Sequence, residues 1–251
     1  MKKVFSFLAI AAMVCMVSCK KDNGGNQPDP QPQPEPEPEV VGLGIAIDGV
    51  FEDWAAVKPE AVSVAKNNPT SPWDAVSEIR CCADDDFVYW YIKYNKSVLT
   101  DLLSVPEEEL PFRLNINTDG EFTSGYTSYS LDGYDFIIEG GLAENGAFTE
   151  CAGTLYQRVD GSWSKLIEST GGIIIGKGAG NEYEIMMPRE LFNNAVSADQ
   201  KMKDVFYTGI RFYTDGGGSW EELSNMPNSS MNEGDGNGYA HLMEVNTWKV
   251  N

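Results

Sequence analysis

From about residue 45 onward, apolar and polar positions alternate along the chain with the period of two expected of strands that bury one face in a sheet. Val76–Ala83 and Phe87–Tyr94 are two such runs, and Asp84-Asp85-Asp86 between them is a hairpin signal. In the second run Val88, Trp90, Ile92 and Tyr94 share one face, and Phe87, Tyr89, Tyr91 and Lys93 share the other. Both faces of that strand are therefore expected to be covered. Pro111–Asn117 follows, with Phe112, Leu114 and Ile116 predicted inward and Arg113, Asn115 and Asn117 outward. A short first strand is predicted at 45–49, and further strands at 134–139, 149–159, 173–176, 182–187, 205–214 and 239–245. Helical periodicity is confined to 98–105 and 188–193, the latter with proline in its first turn. Strands joined by Gly, Asn and Asp turns predict an all-β antiparallel β-sandwich of jelly-roll or immunoglobulin-like two-sheet architecture, with only short helical turns.

The first forty residues follow another pattern. Lys2 and Lys3 precede an apolar run at 4–17, the charged start and short hydrophobic core of a secretory signal peptide. Met16-Val17-Ser18-Cys19 resembles the lipobox of bacterial lipoproteins, in which a small residue precedes the cysteine that receives lipid. The resemblance implies a cleaved signal at 1–18 and lipidation of Cys19. Residues 20–39 interleave polar residues with Pro28, Pro30, Pro32, Pro34, Pro36 and Pro38. Such a composition cannot bury a core, and alternate prolines favour an extended spacer of roughly 3 Å per residue. The expected organisation is a signal at 1–18, a lipidated N-terminus and Pro-rich linker at 19–40, and a single domain at 41–251. A multiply acylated cysteine anchors firmly. Lys20 stands where lipoproteins held at the inner membrane commonly carry aspartate, which implies an outer-membrane, cell-surface location with membrane contact through the lipid anchor only.

The formal net charge is −20, and loss of residues 1–18 removes Lys2 and Lys3 but no acid, leaving 16 basic against 38 acidic residues. This balance argues against nucleic acid and anionic lipid as partners. Of five cysteines, Cys15 leaves with the signal and Cys19 is the lipid acceptor. Cys81, Cys82 and Cys151 remain, and the odd count allows either one bridge to Cys151 or buried free thiols.

Three segments in order resemble a known group. Ile47-Asp48-Gly49 with Asp53-Trp54, then Ala83-Asp84-Asp85-Asp86-Phe87-Val88-Tyr89, then 114–120 with Ser124-Gly125-Tyr126 and 133–140, resemble the opening, aspartate-rich hairpin and central strands of carbohydrate-binding module family 9, a DOMON-like group. Glu182-Tyr183-Glu184-Ile185 leading to Pro188 extends the match over most of 45–215. The resemblance implies a β-sandwich and, from the founding members, carbohydrate binding. The matched motifs do not include the family's ligand-stacking tryptophans, so aromatic candidates come from the residues themselves.

Glycan binding needs aromatic faces for sugar CH groups and polar groups for the hydroxyls. Trp54 and Trp90, in apolar contexts, are expected in the core. Trp73, Trp220 and Trp163 lie beside Pro, Gly and Ser in loop-like sequence and are candidate ligand-binding residues with Tyr126 and Tyr129; the alternative is that they plug the end of the sandwich. Asn115, Asn117 and Asp119 enter a glycine turn, with Asp132 and Asp135 close behind. That set suits either a Ca2+ site built from hard oxygen ligands or a turn tied by its own side chains.

Catalysis has less to build on. His241, the one histidine, is expected in a last strand in a structural role. Glu150, Glu182, Glu184, Glu221 and Glu222 offer carboxylate pairs that any acidic protein would, with 182 and 184 placed on an outward strand face. The expected function is therefore non-catalytic binding of a polysaccharide or oligosaccharide at the cell surface. An envelope structural or assembly protein binding another protein is the alternative, and a glycoside hydrolase ranks below both.

Overall fold

A computed structural model describes residues 42–66, 75–104, 110–127, 133–168, 174–194, 200–215, 220–227 and 242–249. The signal, the lipobox and the proline-rich segment lie outside the described residues. Among the described residues twelve strands form two antiparallel sheets: β1 (Ser63–Lys66), β2 (Val76–Ala83), β3 (Phe87–Tyr94), β4 (Pro111–Asn117), β5 (Phe136–Glu144), β6 (Ala147–Val159), β7 (Ser162–Glu168), β8 (Ile175–Ala179), β9 (Glu182–Pro188), β10 (Val205–Asp215), β11 (Trp220–Met226) and β12 (Met243–Asn246). The smaller sheet runs β1-β2-β3-β9-β8; the larger runs β11-β10-β4-β5-β6-β7, with β12 also paired to β10. The fold is the expected all-β antiparallel sandwich, its helices limited to short pieces including α1 (Asp53–Ala56), α2 (Lys96–Leu103) and α3 (Glu190–Asn193).

Strand alternation explains the core. Val88, Trp90, Ile92 and Tyr94 of β3 and Tyr183, Ile185 and Met187 of β9 face Phe112, Leu114 and Ile116 of β4, Phe136 and Ile138 of β5, and Ile210 and Phe212 of β10 in one apolar cluster. Tyr94 meets Phe212 edge-on across the sheets at 5.3 Å. The indole N–H of Trp90 donates to Thr208 Oγ1 on the other sheet at 3.1 Å, satisfying the one polar atom that this ring buries.

The outer face of the smaller sheet is covered as well. Residues 45–49, expected as a strand, form no ladder; together with α1 they make an extended strap. Leu43, Ile45, Ile47, Phe51 and Trp54 of the strap pack on Cys82, Phe87, Tyr89, Tyr91 and Met186. Glu184, expected outward and solvated, lies beneath the strap and is fully buried. Its Oε1 accepts the backbone N–H groups of Asp48 (2.9 Å) and Gly49 (2.8 Å), and its Oε2 accepts the Trp54 indole N–H (3.0 Å). Burial raises its pKa above the ordinary carboxylate value, and those three donors oppose the shift. Asp84 ties down the other end of the strap. Its Oδ1 caps the hairpin through the N–H groups of Asp86 (2.9 Å) and Phe87 (2.8 Å), and its Oδ2 accepts the Leu43 N–H at 3.3 Å.

Covering both faces of one strand also settles the adjacent cysteines. Cys81 and Cys82 are free, buried thiols on opposite faces of β2, one in each apolar cluster. Burial pushes both thiols well up. The side chain of Cys151 lies outside the described residues.

Candidate functional site

Among the described residues no such strap covers the outer face of the larger sheet. Its register brings one row of side chains across five strands. Arg211 of β10 pairs with Arg113 of β4, and Gly209 of β10 pairs with Asn115 of β4. Asn115 in turn opposes Ile137 of β5, Ile137 opposes Tyr156 of β6, and Arg158 of β6 opposes Trp163 of β7. All of these lie on the face opposite Leu114, Ile138, Leu155 and Ile210, which point into the core.

Into this face opens a pocket of about 190 Å³, lined by Arg113, Asn115, Tyr126, Tyr134, Ile137, Trp163 and Arg211. Gly209, the register partner of Asn115, has no side chain to fill the space beside it. The wall comes from the segment between β4 and β5. Tyr126 and Tyr134 exchange backbone hydrogen bonds at 2.9 and 3.3 Å, closing that segment on itself, and their rings stack at 6.1 Å. Glycine is required at the two pinch points. Gly125 and Gly133 have φ of +63° and +60°, and a Cβ on them would come within 2.5 Å of the Tyr134 carbonyl oxygen and 2.4 Å of the Glu121 carbonyl oxygen. Trp163 then packs against Tyr126 at 5.8 Å between centroids.

Polar groups on the pocket floor are unevenly engaged. Arg113 Nε donates to Glu139 Oε1 at 2.8 Å, and its Nη2 donates to the same oxygen. Arg211 Nη2 reaches the Tyr134 hydroxyl at 3.4 Å. Arg158 lies outside the pocket lining and sits over the rings of Tyr126 (5.2 Å) and Trp163 (5.3 Å), backing both. Asn115 is 1% exposed, yet neither its Oδ1 nor its Nδ2 has a hydrogen-bond partner in the protein. Leaving a buried carboxamide unsatisfied costs about 1–3 kcal/mol. Side chains placed so are the first to test for contact with a ligand.

The proposed aromatic set divides. Tyr126 and Trp163 meet at this pocket. Trp163, expected in a loop, belongs to edge strand β7, and Trp220, also expected in a loop, begins β11, its side chain outside the described residues. Trp73 and Tyr129 lie outside the described residues. Trp54 and Trp90 are buried as expected.

The cation set divides too. Asn117 and Asp119 close the turn beyond β4: Asn117 Oδ1 accepts the Gly120 N–H at 2.7 Å and Asp119 Oδ1 accepts the Glu121 N–H at 2.8 Å. Asp135 Oδ2 accepts both the Thr118 N–H (2.8 Å) and the Thr118 hydroxyl (2.9 Å). The Lys203 ammonium already donates to the Asp119 carbonyl at 2.5 Å. Burial, with Asp119 adding repulsion, pushes the Asp135 carboxyl up to about 6. Asn115 belongs to the arginine pocket, and Asp132 lies outside the described residues. Among the described residues no three His, Cys, Asp or Glu side chains converge as a metal site would require. The turn is held by its own side chains, and a Ca2+ ion would have to displace N–H donors and compete with an ammonium.

Of the carboxylates considered for hydrolysis, three have described side chains. Glu184 is under the strap, Glu182 accepts from the Tyr91 hydroxyl and from Lys93 Nζ (3.3 Å), and Glu150 reaches Lys177 at 3.8 Å on the surface. The side chains of Glu221 and Glu222, and His241 altogether, lie outside the described residues.

Arg113, Arg158, Arg211 and Tyr134 were not among the residues the sequence singled out. A signal existed: the chain has five arginines, and two of these sit mid-strand between core residues, as Phe112-Arg113-Leu114 and Ile210-Arg211-Phe212. That β10 lies against β4 is a long-range fact no local pattern carries. In comparison with known proteins, no family model matches the chain and no curated protein matches it.

Proposed function

We propose that this chain is a non-catalytic surface lipoprotein that binds a saccharide in the pocket on the outer face of the larger sheet. The observation that carries the reading is Asn115, a buried carboxamide with both polar atoms unengaged, at the floor of a pocket walled by Trp163 and Tyr126. A sugar ring supplies what such a site lacks. Its hydroxyls both donate and accept, matching Oδ1 and Nδ2, and its CH faces suit aromatic walls. A volume below the roughly 300–1,000 Å³ of drug-sized sites suits one sugar residue or chain end better than a polymer buried along its length.

The lipobox-like Cys19, the spacer and the resemblance to carbohydrate-binding modules fit the same reading: a lipid anchor, a stalk and a module held away from an outer membrane. A glycan-array or affinity-gel screen of the full-length protein in detergent tests it, alongside Trp163→Ala and Tyr126→Ala variants. The expected result is retention by at least one saccharide, weakened in both variants while they stay folded. No retention by any saccharide would move the weight to a protein partner in the envelope. Labelling with a radioactive fatty acid tests the anchor, with label expected in the wild type and absent from Cys19→Ala.

A further inference from the structure

The neighbours of Asn115 explain why its carboxamide bonds to nothing in the chain. Its register partners are Gly209 of β10, which has no side chain, and Ile137 of β5, which is apolar. The next residues on the same face of β4 are committed elsewhere, Arg113 to Glu139 and Asn117 to the Gly120 N–H. The amide is therefore buried with Oδ1 and Nδ2 both unengaged, in the lining of a pocket that Trp163 and Tyr126 share. A carboxamide holds its donor and its acceptor side by side in one plane. Turning it over exchanges the two heads and leaves the same pair to be satisfied. A ligand that meets both at once carries a donor and an acceptor at matching spacing.

From this we infer that Asn115 reads a vicinal diol: two adjacent, unsubstituted ring hydroxyls of one sugar residue, the first donating to Oδ1 and the second accepting from Nδ2. The inference rests on the saccharide reading above and deepens it to the hydroxyl pattern recognised. Adjacent hydroxyls in the gauche relation, both equatorial or one axial, lie close enough together to meet the two heads of one amide. A trans-diaxial pair points apart and cannot bridge them. Alkylating or acylating either hydroxyl removes a donor and adds bulk at the buried floor. An acetamido group does not substitute for the pair, because the N–H and C=O of a trans amide point to opposite sides. An adenine edge does offer a donor beside an acceptor. The acids that give the chain a formal net charge of −20 repel the phosphates of a nucleotide carrying that base, and nothing of the kind opposes a neutral sugar. A pyranose with its hydroxyl edge on Asn115 also keeps its CH faces for the aromatic wall.

Titration calorimetry of the full-length protein, in a detergent without a sugar headgroup, tests the pattern. The probes are the methyl glycosides of glucose, galactose, mannose and xylose, followed by the monodeoxy analogue at each ring hydroxyl of every glycoside that binds. Adenine and acetamide serve as controls. At least one glycoside should bind. Two of its analogues, missing neighbouring hydroxyls, should each bind about tenfold more weakly or worse, because each strands one head of a buried amide. The other analogues should stay closer to the parent. Each comparison changes the ligand and not the protein, so a folding defect cannot produce this result. Sensitivity at a single hydroxyl, or equal sensitivity at all of them, would overturn the diol assignment and leave the saccharide reading intact. Retention of a polysaccharide in the glycan screen with no methyl glycoside bound would do the same. Adenine or acetamide binding as tightly as the best glycoside would overturn it in favour of a base or an amide side chain. No binding of any saccharide in either experiment would overturn both readings.

Discussion

Each sheet buries a polar side chain in mid-strand on its outer face, and the two are treated in opposite ways. On the smaller sheet Glu184 is roofed by the strap and accepts three hydrogen bonds from it. On the larger sheet Asn115 is just as inaccessible and makes no side-chain hydrogen bond at all. Burial alone therefore does not separate an architectural polar group from a functional one; what separates them is whether the chain supplies its partners. The Ile47-Asp48-Gly49 and Asp53-Trp54 motifs serve Glu184, so they belong to the strap and not to a ligand site.

The contrast predicts unequal responses to mutation. Glu184→Ala strips two backbone N–H groups and an indole N–H of their acceptor, and should destabilise the fold by about 3–5 kcal/mol. For a domain of this size that is a fall in Tm on the order of 10 °C, with red-shifted tryptophan fluorescence as the strap lifts from Trp54. A loss under about 1 kcal/mol would mean that the strap is not held by Glu184.

Asp135 lies between these cases, with Oδ2 engaged and Oδ1 without a partner. Its carboxyl is raised from 3.8 to about 6, so the folded state holds the proton more tightly than the unfolded one. The resulting stability is present below pH 4 and is lost as pH rises through about 6, by on the order of 2 kcal/mol. Urea denaturation from pH 4 to 7.5 should show this component in the wild type and not in Asp135→Asn. Parallel curves for the two proteins would rule it out.

Trp163→Ala should weaken saccharide binding by about tenfold and cost little stability, since the residue is partly exposed on edge strand β7. Equal affinity would remove the aromatic wall from the site. The smallest effect is expected from calcium. With the turn at 117–121 closed by Asn117, Asp119 and Lys203, Tm in excess calcium and in EDTA should agree within about 1 °C. A clear rise with calcium would support a cation site at this turn.

The sequence made β2, β3 and β4 legible to the residue, because strong alternation there is bounded by aspartate-rich turns and proline. It did not reveal β1, β7 or β11. Ser63–Lys66 is a four-residue edge, and Ser-Trp-Ser-Lys-Leu-Ile-Glu in β7 alternates weakly because an edge strand faces solvent. The strap at 45–49 reads as extended, which it is, but pairing cannot be read from one strand alone. Glu184 alternates with Tyr183 and Ile185 as a solvated residue would, and only the strap arriving from 135 positions away reverses that reading. Trp163 and Tyr126 were legible as unusual aromatics. Their meeting with Arg113, Asn115 and Arg211 depends on register across five strands, which local pattern does not encode.

The most direct test of the central claim is Asn115→Leu, with stability and saccharide affinity measured on the same preparation. If the carboxamide is kept for a ligand, removing it should leave Tm within a few degrees of wild type or raise it, and should abolish binding. A fall in Tm on the order of 10 °C with binding retained in the folded fraction would make Asn115 a structural residue and contradict the account.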